Sequence, residues 1–138
     1  MITDTFEAAI APGVVEADEW AMICRSPFPN TLVVGPPDIA GSIVTSVLPY
    51  LRRPIRHCDH CVAAVIREVR NGTLVIWAVE RLDPDEQDQL FDFIGDCGNV
   101  VQVISVTSID LFQQVQRGAF AEDLYYRLST IRLKVTPT

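Results

Sequence analysis

Three short runs in this chain are almost continuously apolar: Thr31–Val34, residues 73–79 and residues 100–106. None alternates clearly between polar and apolar positions, so each fits a strand covered on both faces, as in a parallel sheet. Residues 54–57 and Ile131–Val135 read as two further strands. The intervening segments 42–51, 62–69, 83–96, 109–117 and 121–128 read as helices. Strands that alternate with helices in this way imply an α/β fold: a doubly wound, mostly parallel sheet flanked by helices.

The punctuation agrees with that division. Asp83 is placed to cap a helix, Pro84 suits its first turn, and Gly98 would close it. Ser108 is placed to cap 109–117, which Gly118 would terminate. Residues 1–15, broken by Pro12-Gly13, read as a flexible leader, and 16–138 as one domain that opens with a short helix over 16–24.

A chain of 138 residues that is 49% apolar has enough material for one core and too much for general disorder. No stretch would cross a bilayer and no secretory signal opens the chain, so a cytoplasmic protein without membrane contact is expected. The net charge is −7 and the single lysine is Lys134. Repulsion from a phosphate backbone argues against direct DNA binding by this domain. The basic run Arg52, Arg53, Arg56 reads as a solvated helix end.

The C-terminal third carries the most specific string. Residues 117–128, R-G-A-F-A-E-D-L-Y-Y-R-L, resemble the G-x-F-R-E-D-L-Y-Y-R-L signature of the sigma-54-dependent transcription activators. Gly72-Thr73-Leu74-Val75-Ile76 resembles that family's G-T-L-F-L strand, and Leu82 to Phe93, with Gln87 and Leu90, its following helix. Residues 103–108 resemble the V-I-A-A-T-N sensor strand, and Leu32-Val33-Val34-Gly35 the strand entering the phosphate loop. The resemblance spans roughly residues 20–138. It implies a P-loop NTPase core of the AAA+ type, bacterial and cytoplasmic, of the kind found in two-component regulators, where ATP hydrolysis remodels sigma-54 polymerase.

The residues that would do this chemistry are replaced. A phosphate loop needs converging backbone N–H groups and a lysine. Here the degenerate loop holds Gly35, Pro36, Pro37, Asp38, Gly41 and Ser42, without a cation and with two residues that have no N–H. The family's strand ends in Asp-Glu, which hold magnesium and polarise water; this chain has Trp77 and Ala78. Glu80 would lie about 6.6 Å further along an extended strand. Trp77 is read either as ordinary core or as an indole filling the vacated pocket. Ser108 replaces the sensor asparagine, Ala121 the first signature arginine, and Arg127 remains as a possible arginine-finger remnant, expected to pair with Asp123.

The family's G-A-F-T-G-A loop, which touches sigma-54, has no room between Cys61 and Asn71, and no helical lid follows. The expectation is therefore a non-catalytic regulatory or protein-interaction domain without a cofactor, with a protein partner or self-association through the AAA+-type face. The alternative is a weak ATP- and magnesium-binding fragment of a sigma-54-dependent activator or response regulator.

His57-Cys58-Asp59-His60-Cys61 supports a third reading. Cys58, His60 and Cys61 are possible metal ligands, and C-x-x-C before a helix is compatible with thiol redox chemistry. No second ligand pair accompanies them, since Cys24 and Cys97 stand alone. A strand end without metal is the expected role, with free, mostly buried thiols.

Overall fold

A computed structural model describes residues 6–10, 23–24, 28–59, 62–97 and 100–135. Six strands form one sheet: β1 (Phe6–Ile10), β2 (Thr31–Val34), β3 (Ile55–Cys58), β4 (Gly72–Ile76), β5 (Val101–Thr107) and β6 (Ile131–Val135). Their spatial order is β1-β6-β2-β5-β4-β3, and every neighbouring pair is parallel. The described helices are α1 (Pro37–Val47), α2 (Val62–Ile66), α3 (Pro84–Cys97), α4 (Leu111–Gln116) and α5 (Glu122–Leu128). This is the doubly wound parallel α/β sheet that the apolar runs imply.

Alternation along each strand sends side chains to two cores. Leu32, Leu74, Ile76 and Val103 meet Val62, Leu90, Leu111, Leu124 and Leu128 from α2–α5 on one face. Val33, Val75, Ile104 and Leu133 meet Ala40, Ile43 and Val44 of α1 on the other. Strands β4 and β5 are buried at every position, which explains their continuous apolar character. Strand β6 is only half covered. Ile131, Leu133 and Val135 are buried, Arg132 is partly exposed and Lys134 is exposed.

Helix α3 starts with a reciprocal cap. The Glu86 amide donates to Asp83 Oδ1 at 2.8 Å, and the Asp83 amide donates to Glu86 Oε1 at 3.0 Å. This is the capping-box arrangement, with Asp83 as cap and Pro84 in the first turn as expected.

Several boundaries differ from the sequence reading. Inside the expected leader, residues 6–10 form β1, paired in register with β6; backbone pairing to an open sheet edge does not require the apolar run that marks a central strand. The expected helix over 16–24 lies outside the described residues except for Ile23 and Cys24. Strand β4 ends at Ile76, three residues early, because Ala78 takes a left-handed conformation. Helix α4 starts at Leu111 and is capped by Asp110, whose Oδ1 accepts from the Phe112 amide at 3.1 Å, so Ser108 is not its cap. Arg52 and Arg53 do follow a helix end, the 3-10 turn Leu48–Tyr50 that closes the α1 segment, whereas Arg56 lies beyond it. Arg52 stacks over Phe28 at 3.8 Å, and Arg56, on edge strand β3, pairs with Glu68 at 3.5 Å.

Candidate functional site

The turn after β2 is shorter than the expected loop. Only Gly35 and Pro36 lie between β2 and α1, because Pro36 is extended and Pro37 starts the helix. Proline is preorganised for the first helical turn, and Asp38 there is favoured by the helix dipole. Asp38, Gly41 and Ser42 are therefore helical, and the Ser42 hydroxyl donates back to the Asp38 carbonyl at 2.9 Å. Gly35 is demanded by packing. A Cβ there would lie 2.8 Å from Val135 Cβ and 2.9 Å from the Val135 carbonyl oxygen. Several amides around the turn are absent or engaged, which leaves those of Asp38 and Ile39 in the first helical turn. Pro36 and Pro37 have none, Gly35 donates to Thr107 O at 3.0 Å, and Ala40 donates to Pro36 O at 2.8 Å.

Counting G-x-x-x-x-G-K-[ST] from Gly35 puts Gly41 at the lysine and Ser42 at the hydroxyl position. A Cβ on Gly41 would stand 3.9 Å from Trp77 Cζ3. Trp77 occupies the first metal-acid position, so the two positions that should grip a magnesium triphosphate are within van der Waals reach of each other. The indole is partly buried against the α1-side core. Its Nε1–H donates to His57 Nδ1 at 3.1 Å, with the rings parallel to within 7°. That bond makes Nδ1 an acceptor. Of the two readings posed by the sequence, the packing of the indole against the core is the one observed.

Ala78, at the second acid position, has φ 56° and ψ 55°. Left-handed alanine costs about 1 kcal/mol relative to glycine. Ala78→Gly is therefore expected to raise the thermal midpoint by roughly 3 °C, read by circular dichroism. Glu80 is not displaced along an extended strand as anticipated. It lies in the 3-10 turn Val79–Arg81, and its Oε1 is buried without a hydrogen-bond partner among the described residues.

At the carboxyl ends of β2, β5 and β6, beside the turn into α1, lies a cavity of about 430 Å³. Its lining includes Leu32 and Val34, the loop residues Gly35, Pro36 and Pro37, the sensor-position Ser108, and Arg132 and Lys134. Parallel register sets Arg132 beside Leu32 and Lys134 beside Val34. The lysine that lies a hundred residues from the loop in sequence therefore stands next to it in space. Sequence reasoning missed both cations as site residues. The available signal was the alternation Ile-Arg-Leu-Lys-Val, which marks one strand face as uncovered.

Arg127 does not pair with Asp123. Its guanidinium stacks over Phe91 at 5.3 Å, while Asp123 Oδ1 accepts from the Leu124 amide at 3.0 Å. The carboxylate is used at the start of α5, and the aromatic face offers the arginine an apolar rest. Cys58 is buried at the end of β3, whereas His60 and Cys61 lie outside the described residues. Among the described residues no group of three or more His, Cys, Asp or Glu could hold a metal. Burial pushes the Cys24 and Cys97 thiols up, which disfavours the reactive thiolate. No described helix is long and apolar enough to cross a membrane.

Comparison with known proteins places this geometry. An NtrX-like response regulator of Rickettsia bellii is 37% identical over 81 residues, covering 51% of this chain and 17% of that protein. The transcriptional regulatory protein TyrR of Enterobacter agglomerans is 32% identical over 81 residues, covering 51% of this chain and 16% of its own length. The chain thus spans about a sixth of the length of these curated relatives. The crystal structure of Brucella abortus NtrX in complex with ATP superposes with a TM-score of 0.65 at 16% identity, covering 86% of this chain and 34% of that one. Thermotoga maritima RuvB gives 0.60 at 18% identity, over 85% and 43%; both likenesses concern the fold. The sigma-54 interaction domain family matches residues 31–138, from β2 through the signature helix to the last strand, and the chain belongs to that family.

Proposed function

We propose that this domain is a non-catalytic member of its family, a transcription-regulatory interaction module that neither hydrolyses ATP nor holds it with magnesium. The observation that carries this reading is the closeness of Trp77 to Gly41, where an added Cβ would meet the indole at 3.9 Å. A large apolar ring stands where a carboxylate would ligate the metal, against a residue without a side chain where the lysine would reach the phosphates. Magnesium nucleotide does not fit these residues. An indole cannot ligate a hard cation, and loss of the lysine alone forfeits a charge-assisted bond of about 1.5–3 kcal/mol. Asp38 adds a like charge beside the helix start, on the order of 3 kcal/mol at 5 Å and an effective dielectric near 20.

Retention of the fold and signature without this chemistry fits a role in binding protein partners, whether a copy of itself, an active relative or another regulator. The family's sigma-54 loop has no counterpart in residues 62–71, which hold only α2 and the turn into β4. The relatives named above are regulators, and one of them was crystallised with ATP; those activities belong to proteins several times longer. The test is isothermal calorimetry with ATP and magnesium. No saturable heat is expected up to about 1 mM nucleotide, corresponding to less than roughly 4 kcal/mol of binding. Micromolar, magnesium-dependent binding would overturn the reading.

A further inference from the structure

Charge is unevenly spread along this acidic chain. Residues 52–70 hold five of the eleven cations and only two of the eighteen acids. The fold gathers these cations further, at the corner where edge strand β3 begins and the chain turns into β4. A Cβ on Gly72 would stand 2.9 Å from the Arg53 carbonyl carbon. Arg70, two residues before Gly72, is therefore at most about 7 Å of chain from that contact. Arg56 pairs with Glu68 at 3.5 Å, which brings the chain at Arg67 alongside β3.

Three of these guanidiniums are available. Arg53, Arg67 and Arg70 are exposed and form no ion pair among the described residues, and Glu68, the acid between them, is engaged by Arg56. The backbone beneath them is held. The Thr73 amide donates to Pro54 O at 3.0 Å, and Thr73 Oγ1 donates to Arg52 O at 2.8 Å. Tyr50, three residues before Arg53, is 71% exposed, the barest large hydrophobic side chain among the described residues. Arginine and tyrosine are among the side chains most enriched at contact surfaces. Like charges gathered at one corner also repel one another, and carboxylates brought by a partner relieve that repulsion.

We propose that this corner docks a short acidic segment of a partner protein, its carboxylates taken by Arg53, Arg67 and Arg70 and an apolar residue lying on Tyr50. Guanidinium forks match carboxylates and phosphates alike, so the surroundings choose between them. Helix α3, packed against α2, carries five acids and no base over Pro84–Cys97. A nucleic acid extends its charge beyond the cluster and meets that helix, whereas a short peptide ends at the cluster. This docking surface gives the interaction role proposed above a partner chemistry, and it rests on that role.

The test is fluorescence anisotropy of a fluorescein-labelled peptide repeating Glu-Glu-Leu, titrated with the full chain at low ionic strength. Saturable binding that weakens as salt is raised is expected. Arg67→Glu and Arg70→Glu are each expected to weaken it by at least about fivefold, and Tyr50→Ser by about threefold. Arg117→Glu makes the same charge change at an exposed arginine between α4 and α5, and is expected to stay within about twofold of the parent. All four positions are exposed, and unchanged circular dichroism shows that each variant is folded. A peptide repeating Lys-Lys-Leu and a labelled oligothymidylate of equal length are each expected to bind at least about tenfold more weakly. Absence of saturable binding overturns the proposal, as does unchanged affinity in both Arg67→Glu and Arg70→Glu, an equal loss in Arg117→Glu, or either control binding as tightly as the acidic peptide. Failure of the non-catalytic reading appears separately, as binding of magnesium ATP by the same protein with its peptide affinity unaltered.

Discussion

Gly72→Ala is expected to destabilise the domain by more than about 3 kcal/mol and to lower its thermal midpoint by roughly 10 °C. Gly72 opens β4 at φ +93°, and a Cβ there would lie 2.2 Å from the Pro54 carbonyl oxygen, 2.8 Å from Pro54 N and 2.9 Å from the Arg53 carbonyl carbon. The left-handed side chain costs about 1–2 kcal/mol. Forcing it into occupied space adds about 1–3 kcal/mol. Neither the strand nor its neighbour can yield cheaply. The Thr73 amide donates to Pro54 O at 3.0 Å, Thr73 Oγ1 to Arg52 O at 2.8 Å, and the Gly72 amide to Val100 O at 3.2 Å. Gly118→Ala supplies the control. Its φ is +78°, but nothing lies within 4 Å of the added methyl, so only the backbone strain of about 1 kcal/mol is expected. Urea unfolding of the two variants checks this, and a Gly72→Ala loss no greater than that of Gly118→Ala would contradict the close-approach argument.

This glycine shows where the sequence was legible and where it was not. Gly72 was readable as the start of a family-like strand, but the chain that crowds it is Arg53-Pro54, eighteen residues earlier and on no shared periodicity. The central strands were legible because burial on both faces leaves a continuous apolar run. Edge strands lack that signature, so residues 6–10 carry no strand signal of their own. Motif reading also misplaced the phosphate loop. Matching Gly35 to Gly41 against a loop pattern overlooked that Pro36-Pro37, the pair noted for lacking N–H donors, is also a helix start. Arg132 and Lys134 were hidden differently, since their closeness to Gly35 follows from strand order and not from any local pattern.

On the proposed reading, the replacements at the family's nucleotide positions are complementary in size as well as chemistry. A lysine and two acids leave a space that, once emptied of ligand, would be a polar void. Glycine at the lysine position and tryptophan at the first acid position would fill part of it, and the His57–Trp77 bond gives the indole nitrogen the partner that a half-buried N–H requires. Such paired changes stabilise a fold without its ligand, which is consistent with the proposed non-catalytic role and would not arise from loss of one charged residue alone.

The signature helix survives for a reason that Gln87 makes testable. This residue of α3 is 4% exposed and holds three backbone groups: its Nε2 donates to Leu82 O at 2.9 Å and Ala119 O at 3.2 Å, and its Oε1 accepts from the Ala121 amide at 2.9 Å. Ala119-Phe120-Ala121 is the entry to α5, and Phe120 is buried beside Leu124 in the same core. Gln87→Leu keeps most of the volume while leaving one N–H and two carbonyls unpaired. At about 1–3 kcal/mol for each buried group left unsatisfied, with partial access to water for some, a net loss of roughly 3 kcal/mol is expected. Gln87→Glu retains an acceptor for the Ala121 amide but sets a buried carboxylate against the two carbonyl oxygens, so a loss at least as large is expected at neutral pH. Hydrogen exchange adds a local readout: protection of the Ala121 amide should fall further in Gln87→Leu than in Gln87→Glu. If Gln87→Leu unfolds within about 0.5 kcal/mol of the parent, the clamp is not what retains the signature, and a partner's surface would have to be.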